Sequence, residues 1–273
     1  MRTTNESVAT TKESYAVCLR LARSHYENFP VASWLLPAPM RPHIAAIYAF
    51  ARTADDIADE GQLDDGERLR RLDDWEAKLD APAGHPVFVA LENTIQECRL
   101  DPQLFRDLIS AFKQDVTKKR YADWPELMEY CRRSANPIGR LVLGVAGYRS
   151  EELATRSDSV CTALQLVNFW QDVERDRAKG RDYLPKDLAD QFGSNARAEA
   201  GRRTRALFDD GRGVADAVKG RLALELRATW LGGVRILERL EAVNFDTARR
   251  PALGPADFVL IGCRMLAWRA SDK

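Results

Sequence analysis

Apolar residues along the chain recur at intervals of three and four, the mark of helices with one buried face. No stretch alternates with period two as a half-buried strand would, and no repeat or low-complexity linker interrupts the pattern. The spacing predicts a first helix over Ser14–Tyr26, with Tyr15, Cys18, Leu19 and Ala22 on one face. Asn28-Phe29-Pro30 breaks it, and Leu36-Pro37-Ala38-Pro39 introduces the next. That second helix, Arg41 to Asp59, is apolar through Ile44-Ala45-Ala46-Ile47-Tyr48-Ala49-Phe50 and ends in carboxylates, so its acidic end is expected to line a cavity. Leu69, Leu72, Trp75 and Leu79 make one stripe of a helix whose other face is charged, which reads as a solvated outer helix. Further helices are predicted over 86–99, 102–118, 124–133, 136–147, 151–178, 196–220 and 221–242, and from 255 to the end. Gly180 to Pro185 reads as a loop. The expectation is an all-α fold in one domain spanning 1–273, with residues 1–13 poorly ordered.

The 273 residues are 45% hydrophobic, enough for a real core. Lys plus Arg equals Asp plus Glu at 41 each, so no global basic field invites nucleic acid. Five cysteines lie scattered without a CxxC pair, which argues against zinc or a disulfide framework and for a reducing cytoplasm. The first residues carry Arg2, Glu6, Lys12 and Glu13 with no apolar signal core. The longest uncharged runs, Phe29 to Met40 and Val160 to Gln171, reach 12 residues. A bilayer needs about 20. Peripheral attachment at the inner face of the membrane stays compatible with this composition.

Two acidic constellations carry the chemistry. Asp55 and Asp59 sit four residues apart on the second helix, so they point the same way, about 6 Å apart along its axis. Asn168, Asp172 and Asp176 form a longer ladder by the same arithmetic, after the apolar run Ala163 to Val167. Carboxylates there are costly unless a cation or partner compensates them. Oxygen-only faces suit Mg²⁺, which normally completes its shell with phosphate oxygens, so two such faces imply a diphosphate held between them. Arg52, one turn before Asp56, and Arg181, after Asp176, carry forks that match phosphate oxygens, although each also fits an ordinary ion pair. Tyr48, Phe50, Phe169 and Trp170 fit the core, or, where they face a cavity, the π-stabilisation of a cation. His25 fits either a base or a surface residue. No GxGxxG follows a strand, so no nicotinamide cofactor is expected.

Ile47 through Asp59 resembles the first aspartate-rich region of the squalene/phytoene synthase family. Gln165 through Asp176, followed by Gly180-Arg181-Asp182-Tyr183-Leu184-Pro185, resembles the second. Tyr130-Cys131 leading to Ala135, Ile138 and Gly139 resembles the intervening helix, and Arg250-Pro251-Ala252-Leu253 the late segment. The resemblance covers roughly residues 15–265 and implies an isoprenoid synthase fold with a central cavity. By position it implies that Asp55, Asp59, Asn168 and Asp172 hold Mg²⁺ with support from Asp176. It implies further that Tyr48, Arg52 and Gln165 line the diphosphate site, and that Tyr183 lies near the reacting carbons.

The departures point within the family. Gln171 stands where many members carry a basic residue, which weakens the grip on a second diphosphate. Ala135-Asn136-Pro137-Ile138-Gly139 replaces the usual Ala-Gly-x-Val-Gly, and His25-Tyr26-Glu27-Asn28-Phe29-Pro30 replaces a Ser-rich segment. Glu27 to Ser33 and Asn168 to Val173 look most like the branch that makes hydroxysqualene in bacterial hopanoid biosynthesis. The expectation is Mg-dependent conversion of presqualene diphosphate and water to hydroxysqualene, with a partner synthase upstream and a reductase downstream. Head-to-head condensation of two farnesyl diphosphates is the alternative, and a non-catalytic prenyl-diphosphate-binding protein a third reading.

Overall fold

A computed structural model describes residues 10–24, 35–82, 84–248 and 250–269. His25 and the Glu27 to Ser33 segment lie outside the described residues. The architecture is all-α; among the described residues the only β feature is an isolated parallel bridge between Arg120 and Asp182. The chain forms two compact units, residues 1–116 with 141–148, and residues 117–140 with 149–273.

The first unit holds α1 (Thr11–Ser24), α2 (Arg41–Asp59), α3 (Asp65–Ala77), α4 (Pro86–Cys98) and nearly all of α5 (Gln103–Thr117). Helix α1 starts within the segment expected to be poorly ordered, because Thr10 caps it through Glu13: the carboxylate accepts from the Thr10 backbone N–H at 2.9 Å and hydroxyl at 2.8 Å. Helix α2 runs over the predicted span, opened by Pro42 in its first turn, where a missing N–H costs nothing. Its apolar face buries Ile44, Ile47, Ala54 and Phe50. Phe50 meets Phe88 and Phe105 edge-on, with centroids 5.8 and 5.4 Å away, and Trp75 donates its indole N–H to the Phe50 carbonyl at 3.3 Å. Phe50 is therefore core.

The second unit holds α6 (Trp124–Ser134), the first half of α7 (Asn136–Val145), α8 (Glu151–Gln171), α9 (Val173–Ala178), α10 (Lys186–Phe192), α11 (Ala196–Gly211), α12 (Val214–Ala217), α13 (Gly220–Ala242) and α14 (Pro255–Leu266). Helix α8 is central, burying Leu153, Val160, Ala163, Leu166, Val167 and Phe169. Two helical glycines let neighbours press against it. A Cβ on Gly139 would come 2.6 Å from Cys161 Sγ, and one on Gly211 would come 2.6 Å from the Arg156 carbonyl and 2.5 Å from a Val160 methyl. The Asn136 departure also has a structural role: Thr162 on α8 donates its hydroxyl to the buried Asn136 Oδ1 at 2.8 Å, tying down the start of α7.

Two predicted helices are broken. The span 151–178 divides at Asp172, and the span 196–220 stops at Gly211, where Gly211 and Gly213 weaken helix continuation. Helix α3 starts at Asp65, earlier than its apolar stripe, because Asp64 accepts the Glu67 N–H at 2.9 Å as an N-cap.

Candidate active site

The first acidic face is the last three turns of α2. At about 100° per residue, Tyr48, Arg52, Asp55 and Asp59 fall on one stripe. Arg52 reaches along it to Asp55 at 3.1 Å, Asp56 at 2.6 Å and Glu60 at 2.7 Å. The guanidinium expected to grip phosphate is thus embedded in three carboxylates of its own helix end. Asp55 keeps a side chain 45% exposed. Its carboxyl is nonetheless pushed up to about 6, chiefly by burial of the surrounding helix end and secondarily by Asp59, Asp56 and Glu60, against the pull of Arg52. Tyr48 is raised as well, by burial first, and senses the charges of Arg52, Asp56 and Asp55.

The second face sits where α8 gives way to α9. Asn168 is exposed and Gln165 half-buried one turn earlier. Asp172 leaves helical geometry at φ −100° and ψ 16°, yet the four-residue hydrogen bonds continue through it. Asp172 N–H donates to Asn168 O at 2.9 Å and Asp176 N–H to Asp172 O at 2.8 Å. The ladder therefore survives the break in the helix. Asp176 is pushed up to about 6, by burial first and then by Asp172, with Arg181, Lys179 and Arg175 opposing. Arg181 closes the loop after α9, its N–H donating to the Asp176 carbonyl at 2.9 Å around Gly180, whose φ is +75°.

In the sequence Arg250 stands out only as part of a late segment. In the structure it grips Asp172 with two bonds, Nε to Oδ1 at 2.5 Å and Nη2 to Oδ2 at 3.1 Å. The Asp172 side chain is 18% exposed. Beside it, buried Gln171 donates its amide to the Pro251 carbonyl at 2.5 Å. An ionised carboxylate offers about four lone-pair positions, so the Arg250 pair leaves acceptor capacity for a cation.

Aromatic rings gather beside this second face. Tyr183 stacks on Phe169 with centroids 3.7 Å apart and planes 4° apart. Tyr121 and Tyr130 complete the cluster at 5.8 and 6.2 Å from Tyr183. The bridge at Arg120–Asp182 and the bond from Asp182 N–H to the Lys119 carbonyl stitch the Tyr183 loop to the Tyr121 segment. Phe169, Asp176, Arg181 and Tyr183 line one narrow pocket. Trp170 borders the same pocket but is buried, with its indole N–H committed to Thr204 Oγ1 at 2.9 Å. Sequence reasoning missed Tyr121, and it named Tyr130 only for its helix.

Chemically, each face is an oxygen-only donor set with one carboxylate whose proton affinity is raised by burial and by like charge. A nearby cation relieves both effects, so the residues fit a hard divalent ion. Among the described residues no three His, Cys, Asp or Glu side chains converge into a complete metal site. Each face alone would therefore supply only part of such an ion's coordination shell. Burial pushes the Cys18 thiol up to about 11 and the Cys161 thiol up to about 12, away from the thiolate form that a nucleophile needs.

The helical fold is that of an isoprenoid synthase, and the chain belongs to the squalene/phytoene synthase family, which matches residues 22–256. Members of this family bind prenyl diphosphates. A hydroxysqualene synthase from Rhodopseudomonas palustris is 38% identical over 261 residues, spanning 89% of each chain. Another from Zymomonas mobilis is 40% identical over 195 residues, 70% of this chain and 65% of that one. Among solved structures, a squalene synthase from Alicyclobacillus acidocaldarius is 41% identical with a TM-score of 0.79, covering 86% of this chain and 95% of that one.

Proposed function

We propose that the chain converts presqualene diphosphate and water to hydroxysqualene and diphosphate. The observation that carries this reading is the pair of oxygen-only faces, Asp55/Asp59 and Asn168/Asp172/Asp176, in a chain closely related to hydroxysqualene synthases. In this reading Asp55 and Asp59 would hold magnesium together with the substrate's diphosphate, as would Asn168, Asp172 and Asp176. Bound there, magnesium supplies Lewis-acid neutralisation of the leaving group. Tyr48, Arg52, Gln165 and Arg181 orient the diphosphate oxygens, for which Arg52 trades part of its grip on Asp56 and Glu60.

The carbon–oxygen bond breaks with its electron pair going to diphosphate. The cyclopropylcarbinyl cation left behind rearranges with opening of its ring. One water then adds its oxygen to carbon and releases a proton. The π faces of Tyr183, Phe169, Tyr130 and Tyr121 suit the transient positive charge, and exclusion of bulk water delays its capture. This sequence is redox-neutral and needs no nicotinamide. Gln171 supports a single diphosphate: its neutral amide is committed to the Pro251 carbonyl and offers no charge to a second.

Farnesyl diphosphate as the only substrate separates this reading from head-to-head condensation. No C30 product is expected; accumulation of presqualene diphosphate or squalene would favour condensation. Unchanged pathway output in cells carrying Asp172→Ala would favour a non-catalytic role. A synthase supplying presqualene diphosphate and a reductase consuming the alcohol are the expected pathway partners.

A cytoplasmic setting with peripheral membrane contact belongs to the same proposal. Among the described residues no helix is long and apolar enough to cross a membrane. Helix α14 exposes Phe258 (62%), Val259 and Leu266 (91%), and Arg212 stacks 4.3 Å over Trp268 just beyond its end. Apolar side chains flanked by an aromatic ring and cations suit an anionic lipid surface. Flotation with vesicles rich in phosphatidylglycerol should carry the protein, and F258S/V259S/L266S should abolish it; equal flotation would remove membrane contact from the account.

A further inference from the structure

The acidic end of α2 is held by a cation that belongs to no aspartate motif. Arg68 lies in the first turn of α3 and is only 9% exposed, on a helix whose charged residues were expected to face solvent. Its guanidinium meets no carboxylate among the described residues. It donates instead to four backbone carbonyls: Nη1 to Ile57 at 2.8 Å and Glu60 at 3.0 Å, Nη2 to Gly61 at 2.8 Å, and Nε to Leu63 at 3.3 Å. Ile57 belongs to the last turn of α2, and Glu60 and Gly61 continue directly from it.

The last carbonyls of a helix lack intrahelical donors and form the negative pole of its dipole. Asp55 and Asp59 add two carboxylates to that same pole, which is unfavourable without compensation. Arg52 cannot supply it all, since three carboxylates already share its charge. Arg68 adds a second positive charge from beneath, aimed at the carbonyls, and leaves the carboxylate oxygens untouched. The N-cap aims it: Asp64 accepts from the Glu67 N–H with its side chain and from the Arg68 N–H with its carbonyl at 3.0 Å. Only a planar fork can reach four acceptors spread over two helix ends; an ammonium has three donors and no fork.

We propose that Arg68 is a positioning residue for metal–diphosphate binding, fixing the terminal turn of α2 so that Asp55 and Asp59 are presented together. It acts through those carboxylates and touches no ligand itself. The inference rests on the reading of the α2 end as a metal–diphosphate site.

The test uses the full chain, with inorganic pyrophosphate and Mg²⁺ as calorimetric probes. Wild-type protein and the surface control R202M should bind alike. R68M should bind about tenfold more weakly, as expected when a group that orients a metal ligand is removed. R68K, which keeps the charge without the fork, should fall between them. In turnover, R68M should need more Mg²⁺ for half-maximal rate while kcat at saturating Mg²⁺ stays within about threefold, a split that simple loss of stability would not give. Wild-type affinity in folded R68M would overturn the inference. Should R68M not fold, R68K decides, and wild-type affinity there would overturn it equally. Absence of binding by the wild type would instead overturn the site reading beneath it.

Discussion

Asp55 and Asp176 each hold a proton more tightly in the fold than an unfolded chain would, where aspartate titrates near pH 3.9. Between about pH 4 and 6 the folded protein therefore binds more protons than the unfolded one, so ligand-free stability falls as pH rises through that window. Glu199, held near 2 by Arg202 and Arg203, and Asp257, held near 2 by the Gly254 backbone N–H and then by Arg235 and Arg239, act in the opposite sense. So do the lowered Glu67, Glu126, Glu129 and Glu238, but all of these lose their contribution only as pH drops below about 5. Thermal melts without ligand should thus show Tm declining from about pH 5 to 6.5, and Asp55→Asn should flatten that decline and raise Tm at pH 7. Affinity for Mg²⁺ and pyrophosphate should rise over the same window, because the ligand competes with those protons. A pH-independent Tm in the wild type would contradict the assignment. Asp59→Ala should lower turnover by about 10²-fold or more with an unchanged circular dichroism spectrum. At this scale the Asp pairs were legible because four-residue spacing places them on one face. Arg250 and Arg68 were not: the first finds Asp172 across 78 residues, and the second is satisfied by carbonyls, which leave no trace in side-chain pattern.

Among the elements, α8 shows what holds the second face. Gly211 lets α11 approach it so closely that an added methyl would overlap Val160 and the Arg156 carbonyl. Gly211→Ala should destabilise by about 1–3 kcal/mol in urea unfolding, the usual cost of overpacking. A neutral or stabilising result would mean that the contact relaxes freely. Helix α2 was legible to the residue, since a proline in its first turn, an unbroken apolar face and a carboxylate end all agree. The interruption at Asp172 was not, because the four-residue periodicity continues through it. What marks the place is the 250–251 segment, which bonds to both Gln171 and Asp172 from far along the chain. The His25 to Ser33 departures lie outside the described residues, so the structure adds nothing to that part of the sequence argument.

For the whole molecule, the all-α class and the family were both readable from periodicity and the two aspartate-rich regions, and the family match spans residues of both compact units. Family membership spans more than one product, since both hydroxysqualene and phytoene synthases are among the relatives. The choice rests on Gln171, on its commitment to Pro251, and on the relatedness to hydroxysqualene synthases. The most direct test is to incubate the purified protein with presqualene diphosphate and Mg²⁺ in ¹⁸O-labelled water and to analyse the C30 product. The account predicts hydroxysqualene carrying one ¹⁸O, formed only when Mg²⁺ is present. Release of squalene, an unlabelled alcohol, or no C30 product at all would contradict it.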